Sequence, residues 1–189
     1  MGKRARGLGL GLRRAGVRAE FGKSFAGVGG ASNIPAVQRT LDMKITDLLL
    51  AEHCVFHNLF DHIEHSLPRV RSLAEVKLLA GMLDSLMEPH ARAEDELLVE
   101  PMEHCLAQLG QQENFHHEHE GIEAALRAVK SSRTVPSAKK SLLAAVAASR
   151  AHFDKEERIL FPLAEKVLKA RTLGDLGTKL AKRREAAQA

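Results

Sequence analysis

Two stretches of the chain, HARAEDELLVEP at 90–101 and HFDKEERILFP at 152–162, each place a histidine four residues before a glutamate. Side chains at i and i+4 of a helix share a face, so His90 with Glu94, and His152 with Glu156, each aim an imidazole and a carboxylate in one direction. Two more histidines share the pattern Glu-His-x-x-apolar: His53 in EHCVF and His119 in EHEGI. If these four segments are helices around a common interior, four imidazoles and two carboxylates converge there. A carboxylate in an apolar interior is either heavily penalised or neutralised by a shifted pKa. Divalent metal supplies the compensation, and inward His and Glu side chains are how carboxylate-bridged di-metal bundles are built. Nitrogen and oxygen donors without thiolate are compatible with Fe, Mn or Zn. One His-x-x-x-Glu alone is usually an exposed pair contributing ~0.2–0.5 kcal/mol. Its repetition, each time before an apolar run and a proline, with a lone histidine on each of two other helices, points to a metal site.

The elements that must hold these groups are legible as helices. The chain lacks Trp and Tyr and has only seven Phe, and its apolar residues are mostly Leu, Ala and Val, which favours helix packing over a sheet sandwich. From residue 41 the apolar residues Ile45, Leu48, Leu49, Phe56, Leu59, Phe60 and Ile63 follow a helical stripe that Pro68 ends. Ser72 and Glu75 have capping-box spacing, and a second helix runs through Leu78, Leu79, Met82, Leu83 and Leu86 to a kink at Pro89, with His90 in the first turn after it. Gly110 is a stop signal; a third helix covers about 112–130, and a fourth runs from Pro136 or Ser137 to Ala170 with a stripe through Leu142, Leu143, Val146, Ile159, Leu160 and Leu163. Four long helices with short connections pack most simply as an up-down-up-down bundle. The expected fold is therefore all-α: a bundle over 41–171, then a short C-terminal helix and tail over 172–189, whose KRRE run reads as a solvated face.

The net charge of +4 is unevenly placed. Residues 1–40 carry eight Lys and Arg against Glu20, so the remainder of the chain is net −3. The basic part is a Gly-rich leader that reads as a disordered extension, with a targeting peptide as the alternative and Met43 available as a start. It names no nucleic-acid partner, and no apolar run has the length of a membrane span. Cys54 and Cys105 are too few for a disulfide framework and read as two buried thiols of a cytoplasmic protein.

AEHCVF, HARAEDELL, EHEGIEAAL and HFDKEERILFPL together resemble, in order and separation, the four helices of the hemerythrin-like (HHE cation-binding) family over about 43–171. The resemblance implies a non-haem di-iron centre ligated by His53, His90, Glu94, His119, His152 and Glu156, with Glu94 and Glu156 as bridges. The family's oxygen carriers have His-x-x-x-His on the third helix and His-x-x-x-x-Asp on the fourth, whereas here Glu123 follows His119 and the fourth helix offers Glu156 and Glu157. Fewer histidines leave more open positions at one metal, a condition associated with reactive sites. The order is more similar to members concerned with iron sensing, nitric oxide or peroxide handling, and iron–sulfur cluster repair, although the cysteine-containing N-terminal domain of the repair proteins is not seen.

The leading expectation is a di-iron protein that meets O2, NO or peroxide in sensing, storage or detoxification. An enzyme is the second, with turnover at an open di-metal centre and Glu157, Glu123 or His57 relaying protons; a metal-free helical interaction module is the third. Among the remaining histidines, His57 reads as a spare ligand or a partner of one, His116 and His117 as flanking His119, and His62, His65 and His104 as surface groups.

Overall fold

The computed structural model describes residues 43–110 and 112–187, and the expectation of a disordered leader over 1–40 lies outside them. Among the described residues every regular element is helical. Helix α1 is Ile45–Ser66, with Ile45, Leu49, His53, Phe56, Phe60 and Ile63 buried along one face. It stops at Leu67, beyond which Pro68 has no N–H to donate. Helix α2 is Leu73–Glu94; the Glu75 carboxylate accepts the Ser72 N–H at 3.4 Å, closing the start as the capping-box spacing predicts. The helix runs unbroken through Pro89, so the chain does not restart there.

Beyond Glu94 comes a π-helical turn, Asp95–Val99, then a 3-10 turn, Glu100–Met102, and the short α3, Glu103–Gln108. Gly110, at φ +65°, ends the segment in the left-handed conformation that favours glycine. Helix α4 is Gln112–Ser131. Thr134 caps α5, Val135–Lys155, by accepting the Ser137 N–H, with Pro136 in the first turn where no donor is required. A second π turn, Glu156–Leu160, leads into α6, Phe161–Val167; Leu168 is extended and α7 follows over Ala170–Ala186.

Each π turn precedes a proline by one residue. In a regular helix the ring of Pro101 would press on the carbonyl of Leu97, and that of Pro162 on the carbonyl of Arg158, each of which would also lose its donor. The wider turn instead lets the Glu100 N–H reach the Asp95 carbonyl and the Phe161 N–H the Glu156 carbonyl. The apolar-run-then-proline signature after each His-x-x-x-Glu therefore encodes a local widening directly beside the glutamate.

The helices pack as a bundle, α4 along α5, α2 against α4 and α5, α1 against α2, and α7 against α1. Its interior is two apolar clusters. One is built from Phe56, Phe60, Leu83, Met87, Ile122 and Phe153 with their neighbours, the other from Leu49, Leu97, Leu98, Phe115, Leu160 and Leu173 with theirs. On α1, α2 and α4, and through α5 into the second π turn, the two sets fall on opposite sides of His53, His90, His119 and Glu156 along the chain.

Several expectations are corrected. Leu78, Met82 and Leu86 are 65%, 49% and 46% exposed, because the buried face of α2 is Val76, Ala80, Leu83, Met87, His90 and Glu94; the polar pair fixes which side turns inward. Leu143 and Ile159 are exposed for the same reason. Cys54 is exposed and Cys105 half-buried, both free. The fourth segment ends at Val167, and the C-terminal helix, at 17 residues, is not short.

Candidate metal centre

The structure brings all six singled-out side chains into one buried layer. His53, His90, His119, His152, Glu94 and Glu156 are all buried, both glutamates completely. They form two groups that share Glu156: Glu94, His119, His152 and Glu156, and His53, His90 and Glu156, each offering ligand atoms within 4.8 Å of one another.

Every imidazole turns its Nε2 inward. Glu156 stands between the groups, with Oε2 3.4 Å from His53 and Oε1 2.6 Å from His152. Glu94 also spans them, its Oε2 lying 3.8 Å from His90 Nε2 and 3.7 Å from His119 Nε2. The Nε2 atoms of His119 and His152 approach to 2.7 Å.

The outward nitrogens are all engaged, each by a carboxylate from a neighbouring helix. His90 Nδ1 is 2.7 Å from Glu52, His152 Nδ1 2.8 Å from Glu118, His53 Nδ1 2.9 Å from Glu157, and His119 Nδ1 3.2 Å from both oxygens of Asp95. These contacts close a ring: α1 serves α2, the start of the first π turn serves α4, α4 serves α5, and the start of the second π turn serves α1. A carboxylate that accepts a hydrogen bond from Nδ1–H holds the ring proton on that nitrogen and leaves Nε2 as a lone-pair donor.

Of this outer ring, only Glu157 stands out in the sequence, as a candidate proton relay; Glu52, Asp95 and Glu118 emerge from the structure. A signal was present. Each outer carboxylate adjoins an inward residue in the chain: Glu52 beside His53, Asp95 beside Glu94, Glu118 beside His119 and Glu157 beside Glu156. Adjacent residues on a helix lie about 100° apart, so the neighbour of an inward side chain falls at the seam with the next helix.

Charge in this layer is only partly balanced. Burial raises the Glu94 pKa, but the nearby imidazoles, His119 and His90 foremost, outweigh it and hold the carboxyl at about 2. Burial and the adjacent Glu94 charge push Glu156 well above the usual carboxylate range. Burial and the neighbouring His90 lower His53 to about 4. Burial acts against the charged form of His119 too, yet the hydrogen bond to Asp95 and the nearby Glu94 carboxylate raise it to about 9. Burial likewise opposes the charged form of Glu52, but His90 and Arg184 bring it down to about 2.

The donor set passes a direct test for metal. Both oxygens of Glu94 and of Glu156, and the Nε2 atoms of His53 and His90, are buried without a hydrogen bond of good geometry, the 2.6 Å approach of His152 Nε2 to Glu156 Oε1 included. Buried polar atoms are nearly always paired, and here six orphans face one another. A cation is a partner that all six atoms could share.

The other candidates sit elsewhere. Glu123 is half-exposed and pairs with Arg127 at 2.9 Å. His57 is 38% exposed, 3.9 Å from Glu157 and 3.2 Å from Arg150. His116 contacts Asp95 at 3.1 Å, and His117 pairs with Glu120 at the surface. Between α2 and α4 a cavity of about 220 Å³ includes Met87, Ala91, Ile122 and Leu126 in its lining and reaches His119. No described helix is long and apolar enough to cross a membrane.

Comparison with known proteins agrees with this geometry. A family model described as the hemerythrin HHE cation binding domain matches residues 44–164, more than half of the chain. No curated protein and no solved structure matches.

Proposed function

The chain belongs to the hemerythrin HHE cation-binding family, and on that premise we propose that its buried layer holds two metal ions, with iron as the resident metal and Mn or Zn as the alternatives. His53 and His90 would hold one ion and His119 and His152 the other, with Glu156 within reach of both groups and Glu94 beside it. The observation that carries this reading is the set of orphaned carboxylate oxygens and imidazole nitrogens in a fully buried layer. The four long helical segments form an up-down-up-down bundle in this reading, over 41–171.

The function proposed is to meet O2, NO or peroxide in sensing, storage or detoxification. A pair of iron ions supplies reversible one-electron chemistry toward such ligands. The protein's own contribution is threefold. The outer carboxylates fix the tautomer and direction of each imidazole. The two apolar clusters flank the layer, and the cavity of about 220 Å³ beside His119 has room for a small ligand. The free cysteines fit a reducing compartment such as the cytoplasm.

The test is iron content per chain and the visible spectrum of protein purified without air and then exposed to it. About two irons per chain, with new bands that vanish in His90→Ala and His152→Ala, is the expected result. No bound metal, together with a thermal stability that iron does not change, would favour the metal-free interaction bundle instead.

A further inference from the structure

Helix α7 lies beyond the matched residues 44–164, yet one of its side chains reaches the candidate centre. Arg184 forks onto Glu52, its Nε 2.6 Å from Oε1 and its Nη2 2.9 Å from Oε2. That same Oε2 is the atom 2.7 Å from His90 Nδ1. The third nitrogen, Nη1, donates at 3.1 Å to the carbonyl of Pro89, the residue preceding His90. One guanidinium thus holds both the partner of the His90 ring and the backbone that carries that ring.

The other outer carboxylates are held differently. Lys155 donates to Glu118 through a single 2.7 Å bond, His116 lies 3.1 Å from Asp95, and His57 is 3.9 Å from Glu157. Only Glu52, among these four, receives a planar fork, and a two-point grip prevents rotation of the carboxylate where a point charge does not. The seating of α7 is itself specified. A methyl group on Gly177 would run into the carbonyl of Met43 and lie 3.0 Å from the Ile45 N, so the start of α1 and α7 meet backbone to backbone.

We propose that Arg184 is a positioning residue of the metal centre: it locks Glu52 in the orientation that directs His90, and so makes α7 a working part of the site. The proposal rests on the metal-binding reading above. It assigns the effect to the position served by His53 and His90, since Arg184 touches no partner of His119 or His152.

The test uses the full-length chain, freed of metal and titrated with cobalt(II) alone, following calorimetric affinity and the visible ligand-field bands. The unaltered protein takes two equivalents. In Arg184→Gln one equivalent weakens by about tenfold, in line with the loss of a group that orients a ligand, and its bands change while those of the other persist. Arg184→Lys recovers part of the loss. Arg183→Gln, which breaks the neighbouring 2.7 Å bond from α7 to Glu96, binds as the unaltered chain does. Equal binding by Arg184→Gln and the unaltered chain overturns the proposal. So does a matching loss at both equivalents in the Arg183 and Arg184 variants, because α7 would then be only a cover. Failure of the unaltered chain to bind cobalt overturns the metal-binding reading itself.

Discussion

Glu94 and Glu156 set the central conflict of this protein at the level of single side chains, since both are fully buried and their oxygens have no hydrogen bond of good geometry. Without a cation the layer does not keep both charged, and the Glu156 pKa is pushed well above the usual carboxylate range; a cation would let both act as its anchors. Glu156→Gln keeps the shape and removes the acid. It is therefore expected to stabilise the metal-free protein by about 1 kcal/mol or more, the scale of an unsatisfied buried polar group, and to weaken metal-linked stabilisation. Urea unfolding with and without a chelator separates the two effects, and a variant destabilised in both conditions would contradict the reading. The inward convergence of these residues was legible because an i,i+4 spacing fixes a shared face from local sequence alone. The outer carboxylates were not, since Glu52 serves His90 and Glu118 serves His152 across helix seams, and no periodicity within one helix shows which neighbour it will meet.

At the scale of elements, two joins decide how the ends of the bundle are tied. Gly177 allows α7 to touch the start of α1 through its backbone, so Gly177→Ala must push the helices apart. The expected cost is about 1–3 kcal/mol, as for overpacking in a core, seen as a lower urea midpoint; an unchanged midpoint would mean that the contact yields freely. The second join is Glu165 of α6, which accepts the Thr46 hydroxyl at 2.7 Å and the Lys44 ammonium at 3.2 Å. The Thr46 bond first, then Lys44, lowers the Glu165 pKa. A lowered carboxyl binds its proton less readily when folded, so its contribution is present above the usual carboxylate range and is lost as pH falls through the lowered value. Glu165→Gln should thus flatten the acid side of the stability profile, by a small amount because the pair is exposed. Coincident profiles for the two proteins between neutral pH and pH ~3 would argue against it. Helix ends were readable from Pro68, Ser72, Gly110 and Thr134, each of which acts locally. The π turns were not, because the signature that carries them, an apolar run closing on a proline, reads equally as a helix end. The exposed Leu78, Met82 and Leu86 mislead for a related reason: α2 is apolar on more than one side, and the choice of face depends on where His90 and Glu94 must point.

For the molecule as a whole, the metal layer lies between two apolar clusters that share no side chain. Each cluster favours folding by burial, but the layer between them does so only when its charges are compensated. Metal should therefore act as a cross-brace. A ligand at ~100 times its dissociation constant adds about 2.7 kcal/mol per site, so on the two-metal reading proposed above removal of the metal should lower the melting temperature substantially. The loss need not be uniform. The cluster around Leu97, Phe115 and Leu160 draws on short pieces, α3, α6 and both π turns, whereas the one around Phe60, Leu83 and Leu142 is built from long regular helices. Short helices contribute little stability of their own. In the metal-free protein the backbone amides of 95–108 and 156–167 should exchange with solvent far faster than in the loaded protein, while those of 73–87 and 122–131 change little. Hydrogen exchange followed by mass spectrometry reads this directly. Equal acceleration on both sides of the layer would show that the two clusters unfold as one unit, and that the metal stabilises the bundle without bracing one end against the other.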